Sequence, residues 1–344
     1  MEFPLTENCD AVRVVIGAGA LGSVLACDLS GTHRPEGEAP SDTATPTLSQ
    51  TLLVVRTLPL GPVRVELQGG TTSIPADRYV DAAQLKIRKF EFTAPELEVY
   101  VCTHPDDAAQ AALQFFTDCS FDPAAKINLV FCVNGLLTPN PLEPLKLANA
   151  LLWQNINSYR ALFFAGFMRE KNADNSIVIR HNGGVLVKFG PWPVPAKPTT
   201  SSTFMPKAQM LKWEFSPRID HEEYTKFFIN LTIAMTVGPA HQTNSTVLSK
   251  LTAQEAFQLL QGFAGLRPDL KLDLSACLDS LWKTARSTGS NVNSISLAGS
   301  HGNPALFKSF WGMLWNLVEQ SKDSSTALFW TTQQTRMKQL WGNL

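Results

Sequence analysis

Short unbroken apolar runs recur through the first part of the chain, each closed by glycine or polar residues. VRVVI precedes Gly17, TLLVVR gives a strand from Leu52 to Val55 closed by Arg56, LEVYVCT ends near Thr103, and KINLVFCV stops at Asn134-Gly135. Runs of this length with apolar residues at successive positions predict strands buried on both faces, as in a parallel sheet. An apolar-periodic stretch from about Ala20, and another in AAQAALQFFTDC, predict helices between them. Such alternation predicts an open parallel sheet with its ligand along the carboxyl edge, where Gly17 to Gly22, Arg56, His104 and Asn134 gather. VRVELQGG reads as an antiparallel excursion from this pattern.

Beyond it the rhythm changes. From Leu152 to Gly190 the residues predict antiparallel strands with a glycine turn, and from about Asp220 the pattern is helical nearly to the end, with Phe, Leu and Trp marking buried faces. Trp311, Trp315, Trp330 and Trp341 read there as core or subunit contact. Gly190 to Lys207 carries proline too densely for a helix or a central strand and predicts an exposed connection. Gly31 to Gln50 is polar without a hydrophobic period, and predicts a mobile insertion, since it buries too little to offset its ordering entropy. The expected fold class is α/β: a dinucleotide-binding domain over residues 1–207, containing the insertion 31–50 and the connection 190–207, then a mostly α-helical domain over 208–344. A chain of 344 residues with 44% apolar content can fill two such cores.

Composition narrows the partners. A net charge of -1 gives no electrostatic footprint for nucleic acid or an anionic membrane, which leaves a small neutral or modestly anionic ligand. The six cysteines are scattered, with no C-x-x-C pair and no metal spacing, so they read as reduced and structural, and no metal site is expected. The first residues lack a basic region followed by an apolar one, and no 18-residue apolar run occurs. A soluble, cytoplasmic protein is the expectation.

Candidate chemistry begins at GAGALG. Gly17 permits the sharp exit from a strand, Gly19 lets the backbone approach a pyrophosphate, and Gly22 lets the helix pack close to the sheet. With Ala20 and Leu21 opening that helix, its unpaired amides face the phosphates. A glycine turn of this kind also exists without a ligand. Arg56 stands where an acidic residue would hold the ribose hydroxyls of NAD, and no Asp or Glu lies within four positions, so the cofactor expected is NADP(H).

These residues, together with VNG at Val133 to Gly135, RHNGGVLVKFG at Arg180 to Gly190 and YTKFFINLT at Tyr224 to Thr232, resemble the ketopantoate reductase (2-dehydropantoate 2-reductase) family over nearly the whole chain. The resemblance implies a Rossmann domain followed by a helical domain like the C-terminal domain of 6-phosphogluconate dehydrogenase. It implies NADPH-dependent reduction of a 2-keto acid to a 2-hydroxy acid, as in pantothenate biosynthesis, and a possible homodimer. It makes Lys226 the proton donor, with Asn230 one helical turn later and Asn134 positioning substrate, Thr103 and His104 beside the cofactor, Ser324 on the substrate carboxylate, and His181 structural. A lysine suits the role, because a cation near the carbonyl stabilises the developing alkoxide.

The chain also departs from the family. The position of the family's glutamate is Arg336, which has donors only, and a second asparagine of the lysine helix falls on Ala234. Arg336 facing the pocket would favour a substrate with a second carboxylate or phosphate. The alternative is a non-catalytic NADP(H)-binding sensor or regulatory protein whose reaction centre has decayed.

Overall fold

The computed structural model describes residues 11–342 apart from 31–49, 57, 60–61, 68–69, 75–77, 89–90, 93, 138–141, 144–153, 195–203, 207, 209, 240–241, 290–294 and 297–304. The segment expected to be a mobile insertion thus lies, but for Gln50, outside the described residues. The chain divides into two units, Met1–Ile219 and Asp220–Leu344.

The first unit contains β1 (Ala11–Ile16), α1 (Ala20–Ser30), β2 (Gln50–Val55), β3 (Val63–Leu67), β4 (Gly70–Ile74), β5 (Tyr79–Asp81), α2 (Ala82–Arg88), β6 (Glu91–Phe92), β7 (Glu96–Val101), α3 (Pro105–Asp118), β8 (Ser120–Phe121), β9 (Lys126–Phe131), β10 (Ile156–Lys171), β11 (Ile177–Pro191) and β12 (Lys212–Phe215). β6 and β8 pair with each other, and the other ten strands form one sheet. Its centre runs β5-β2-β1-β7-β9-β10, every neighbour parallel. That is the doubly wound order, which reverses direction between β1 and β7. Successive residues of these strands, Val14 and Val15, Val99 and Tyr100, Leu129 and Val130, are fully buried on opposite faces, which is why the runs read as continuously apolar.

β10 and β11 form a long antiparallel hairpin. Only Ile156 to Arg160 of β10 pair with β9, so the rest of the strand runs on past the carboxyl edge as an arm. On the return, β11 pairs through Ile177 to Arg180 with β3, which forms the expected antiparallel excursion with β4. The hairpin does not turn at its glycines. The turn is Asn172–Ser176, where the Asp174 carboxylate accepts from the Ser176 N–H at 2.9 Å and Asn175 takes a φ of 63°. Gly183 and Gly184 instead sit at a register shift within the strands, where a side chain at Gly184 would collide with the Phe164 carbonyl.

The boundary between units falls after Ile219 rather than at 207/208. β12 adds to β11 as a parallel strand of the same sheet. The buried Asp28 of α1 accepts from the backbone N–H groups of Met210 and Leu211 at 2.6 and 3.2 Å, which ties the approach to β12 to the first unit.

The second unit is helical: α4 (Ile219–Val237), α5 (Thr246–Lys250), α6 (Ala253–Leu266), α7 (Leu274–Ser287), α8 (Ala305–Gln320) and α9 (Ser324–Trp341). α6 opens with a capping box between Thr252 and Glu255, and α9 with Asp323 accepting from the N–H groups of Ser325 and Thr326. Phe227 of α4, Phe263 of α6, Phe310 of α8 and Trp330 of α9 pack around one aromatic centre. Trp311, Trp330 and Trp341 are buried in this core.

Candidate functional site

At the carboxyl edge of the parallel strands, β1 ends in the glycine turn. The Gly17 N–H donates to the Val54 carbonyl at 2.9 Å, and the Cys102 N–H donates to the Ile16 carbonyl at 2.7 Å, so three strand ends are held together. Gly17 has a φ of 107°, and a Cβ there would stand 2.8 Å from the Cys102 carbonyl oxygen. A Cβ on Gly22 would stand 1.8 Å from the Gly17 carbonyl oxygen, so this residue sets how closely α1 approaches its own turn. Gly19 differs, because it is exposed and its Cβ direction meets nothing within 4 Å.

Gly19 also lines a cavity of about 740 Å³, together with Gly17, Arg56, Thr103 and His104 from the predicted set. The size is that of a small-molecule site. Ala20, Leu21 and Gly22, in the first turn of α1, are not among the residues lining the cavity. Asn134 lies at the same edge, exposed, two strands from β1 after the end of β9. Ala111 and Phe115 of α3 with Leu85 of α2 give one wall an apolar surface, and Arg169, Lys171 and Asn175 at the tip of the β10–β11 arm give the other a polar one. Cys102 forms part of the lining, and burial pushes its thiol well above the usual range, so this part of the cavity wall stays neutral.

Two of the expected side chains stand against acids. Arg56 Nη2 stands 2.6 Å from Asp107 Oδ2, and His104 Nδ1 stands 3.3 Å from Asp106 Oδ2. Both carboxylates lie in the first turn of α3, where the helix dipole favours negative charge.

In the second unit, Lys226 and Asn230 occupy one half-buried stripe of α4, while Phe227, Phe228 and Leu231 beside them are buried. One turn further the stripe closes at Ala234, which has no exposure. Ser324 and Arg336 lie on a single helix, α9, twelve residues and therefore about 18 Å apart along its axis. They are not brought together. Arg336 is exposed, and its charge reaches Glu255 of α6, whose carboxyl is held low mainly by hydrogen bonds from Thr252. Leaving an exposed guanidinium without a buried anion costs little, which removes the energetic reason for expecting it to select a second anionic group. His181 bonds the Gly184 carbonyl and lies against Phe167 within the hairpin.

One residue carries no sequence signal at all. Arg160, with no exposure, donates to the carbonyls of Phe131, Val133, Gly135 and Ala161 at 2.8–2.9 Å. It thereby shapes the backbone that presents Asn134. In sequence it is a charge inside an apolar run, the usual mark of a strand end. Tyr79, Arg169 and Lys171 were likewise hidden, because only the strand register shows which way they face.

A glycine turn at the switch point of a doubly wound sheet, followed by a helical unit, defines a Rossmann domain joined to a helical domain. This is the fold seen in solved ketopantoate reductases, to which the chain is similar at low sequence identity. A 2-dehydropantoate 2-reductase from Methylococcus capsulatus matches with a TM-score of 0.60 at 17% identity, covering 97% of this chain and 100% of that one. A dimeric ketopantoate reductase from Staphylococcus aureus matches at 0.59 and 13%, covering 96% and 99%. D-mandelate dehydrogenase, solved with NADH and anilino(oxo)acetate, matches at 0.61 and 12%, covering 96% and 99%. No family model matches the chain, and no curated protein matches it in sequence. Among the described residues, no helix is long and apolar enough to cross a membrane and no cluster of residues could hold a metal.

Proposed function

We propose that this protein reduces a 2-keto acid to a 2-hydroxy acid with NADP(H), in the manner the ketopantoate reductase fold suggests. The observation that carries the reading is the cavity opening on Gly19 at the switch point of the sheet. The open Cβ direction of Gly19 and the N-terminus of α1 fit a pyrophosphate. The apolar wall from α2 and α3 fits an adenine, and the absence of an acid at the end of β2 fits a 2′-phosphate. When bound, the nicotinamide supplies a hydride to the carbonyl carbon of the substrate.

The chain supplies the proton and the orientation. Lys226 holds its ammonium proton for the carbonyl oxygen, which takes it as the C=O electron pair moves onto oxygen, and the neutral amine recovers a proton from solvent. Asn230, on the same stripe, and Asn134, on backbone held by Arg160, offer amide hydrogen bonds for substrate carboxylate and carbonyl. Ser324 is a further candidate for the carboxylate. We place the protein in the cytoplasm as a homodimer by the same likeness.

The test is NADPH oxidation over a panel of 2-keto acids, with wild type and Lys226→Ala. Turnover of one substrate with a loss of about a hundredfold or more in the variant is the expected result, the scale of a missing proton donor. One observation favours a second reading, that of a sensor which binds the cofactor without chemistry: the stripe carrying Lys226 ends at a buried alanine. Dinucleotide binding with no turnover on any keto acid would establish the sensor and overturn the reductase.

A further inference from the structure

The β10–β11 arm alternates in side-chain direction. Opposite residues of an antiparallel pair share a face, so Arg169 and Lys171 point the same way as their partners Ile179 and Ile177. Ile177 and Ile179 are buried in the cluster that contains α1 and β2, so this is the inner face, and Arg169 and Lys171 line the cavity. On the outer face Arg180 is matched by acids, bonding Glu66 at 2.8 Å and also Glu170. The inner cations have no acidic partner among the described residues. Beside them Tyr79, also lining the cavity, is 4% exposed, and its buried hydroxyl makes no hydrogen bond among the described residues. Arg169 is close enough for its charge to act on that hydroxyl.

Native structures rarely leave a buried hydroxyl without a partner, and here two exposed cations line the same cavity, free to take an anion. The combination of a planar guanidinium, an ammonium and a hydroxyl donor is complementary to a phosphate monoester. The cation foreseen from sequence, Arg56, is already engaged by Asp107, and His104 stands against Asp106. We propose that the phosphate on the adenosine ribose of the dinucleotide is seated by Arg169, Lys171 and Tyr79, and only secondarily by Arg56. This rests on the NADP(H) reading above and shifts the origin of cofactor preference from the end of β2 to the arm.

Calorimetric titration of adenosine 2′,5′-bisphosphate, adenosine 5′-monophosphate, NADPH and NADH against wild type, Arg56→Ala, Tyr79→Phe and the double variant Arg169→Gln/Lys171→Gln tests it. The double variant is expected to bind the bisphosphate about a hundredfold more weakly and the monophosphate less than tenfold more weakly, the scale of two lost charge-assisted contacts. Arg56→Ala should cost under about tenfold, because its bond to Asp107 must be given up on binding. Tyr79→Phe, which keeps the ring, should weaken only the 2′-phosphorylated ligands, with circular dichroism confirming that each variant is folded. A double variant that keeps the full preference for NADPH, or an Arg56→Ala protein that alone loses all of it, overturns the proposal and leaves the reductase reading standing. Wild type that binds none of the four ligands overturns both.

Discussion

Alanine at Gly19 and alanine at Gly22 should separate binding from folding. At Gly19 the added methyl meets no protein atom within 4 Å and the backbone is not in the left-handed region. Stability should therefore stay level or rise by about 0.4–1 kcal/mol, through reduced freedom of the unfolded chain. Gly19 lines the cavity where a pyrophosphate must come close to the backbone, so a methyl there should weaken NADPH and NADH alike by at least about tenfold. At Gly22 the methyl would stand 1.8 Å from the Gly17 carbonyl oxygen and 3.2 Å from the Cys102 Cβ, so α1 must move off its turn. Overpacking of this kind costs about 1–3 kcal/mol, or more when backbone is the obstacle. Thermal melting with and without dinucleotide, together with isothermal titration, reads both quantities. If Gly19→Ala binds dinucleotide as tightly as wild type, the open side of the turn is not where a ligand sits, and the cofactor assignment fails.

Three other outcomes are expected. Asp107→Asn should tighten NADPH relative to NADH by a few-fold, since an exposed pair of this kind is worth about 0.2–1 kcal/mol and the acid also repels a phosphate; an unchanged ratio by titration would show that Asp107 does not compete. Arg160→Met should destabilise the first unit by about 3–5 kcal/mol in urea unfolding, because three buried carbonyls and a part-buried one lose their donor, and a loss under 1 kcal/mol would refute that role. Asp323 is held down to about 2 by hydrogen bonds from Thr326 and Ser325, so its contribution is present above the ordinary carboxylate pKa, near 3.8, and is lost as pH falls towards 2. The melting temperature of the second unit should fall across that window in wild type and less steeply in Asp323→Asn, with equal slopes counting against the cap.

What the sequence made legible was whatever local chemistry determines alone. The parallel strands could be read because burial on both faces leaves no polar positions, and the turn after β1 because its glycine spacing answers to three separate steric demands. The hairpin was legible in kind but not in place, since a Gly-Gly pair serves a bulge as well as a turn, while Asp174 and Asn175 made the turn by side-chain and φ preference. Proline density suggested a boundary near 207, yet a four-residue strand, too short to show a period, continues the sheet beyond it. Arg56 was found by its position after a strand. That Asp107 would hold it depends on where α3 starts relative to β2, a tertiary relation with no local signature.

The arm that walls the cavity is not an added loop but the outer part of a core strand, and this constrains how it can change over generations. Inserting or deleting a single residue in β10 would rotate Arg169 and Lys171 to the outer face, beside Arg180, and turn Glu170 inward. A change of two residues would keep the facing and move the charges by about one pleat, roughly 6.5–7 Å along the cavity. Length variation in this arm should therefore come in even steps wherever an anion seat is retained, whereas in a protein that had abandoned that ligand odd and even steps would be equally tolerated.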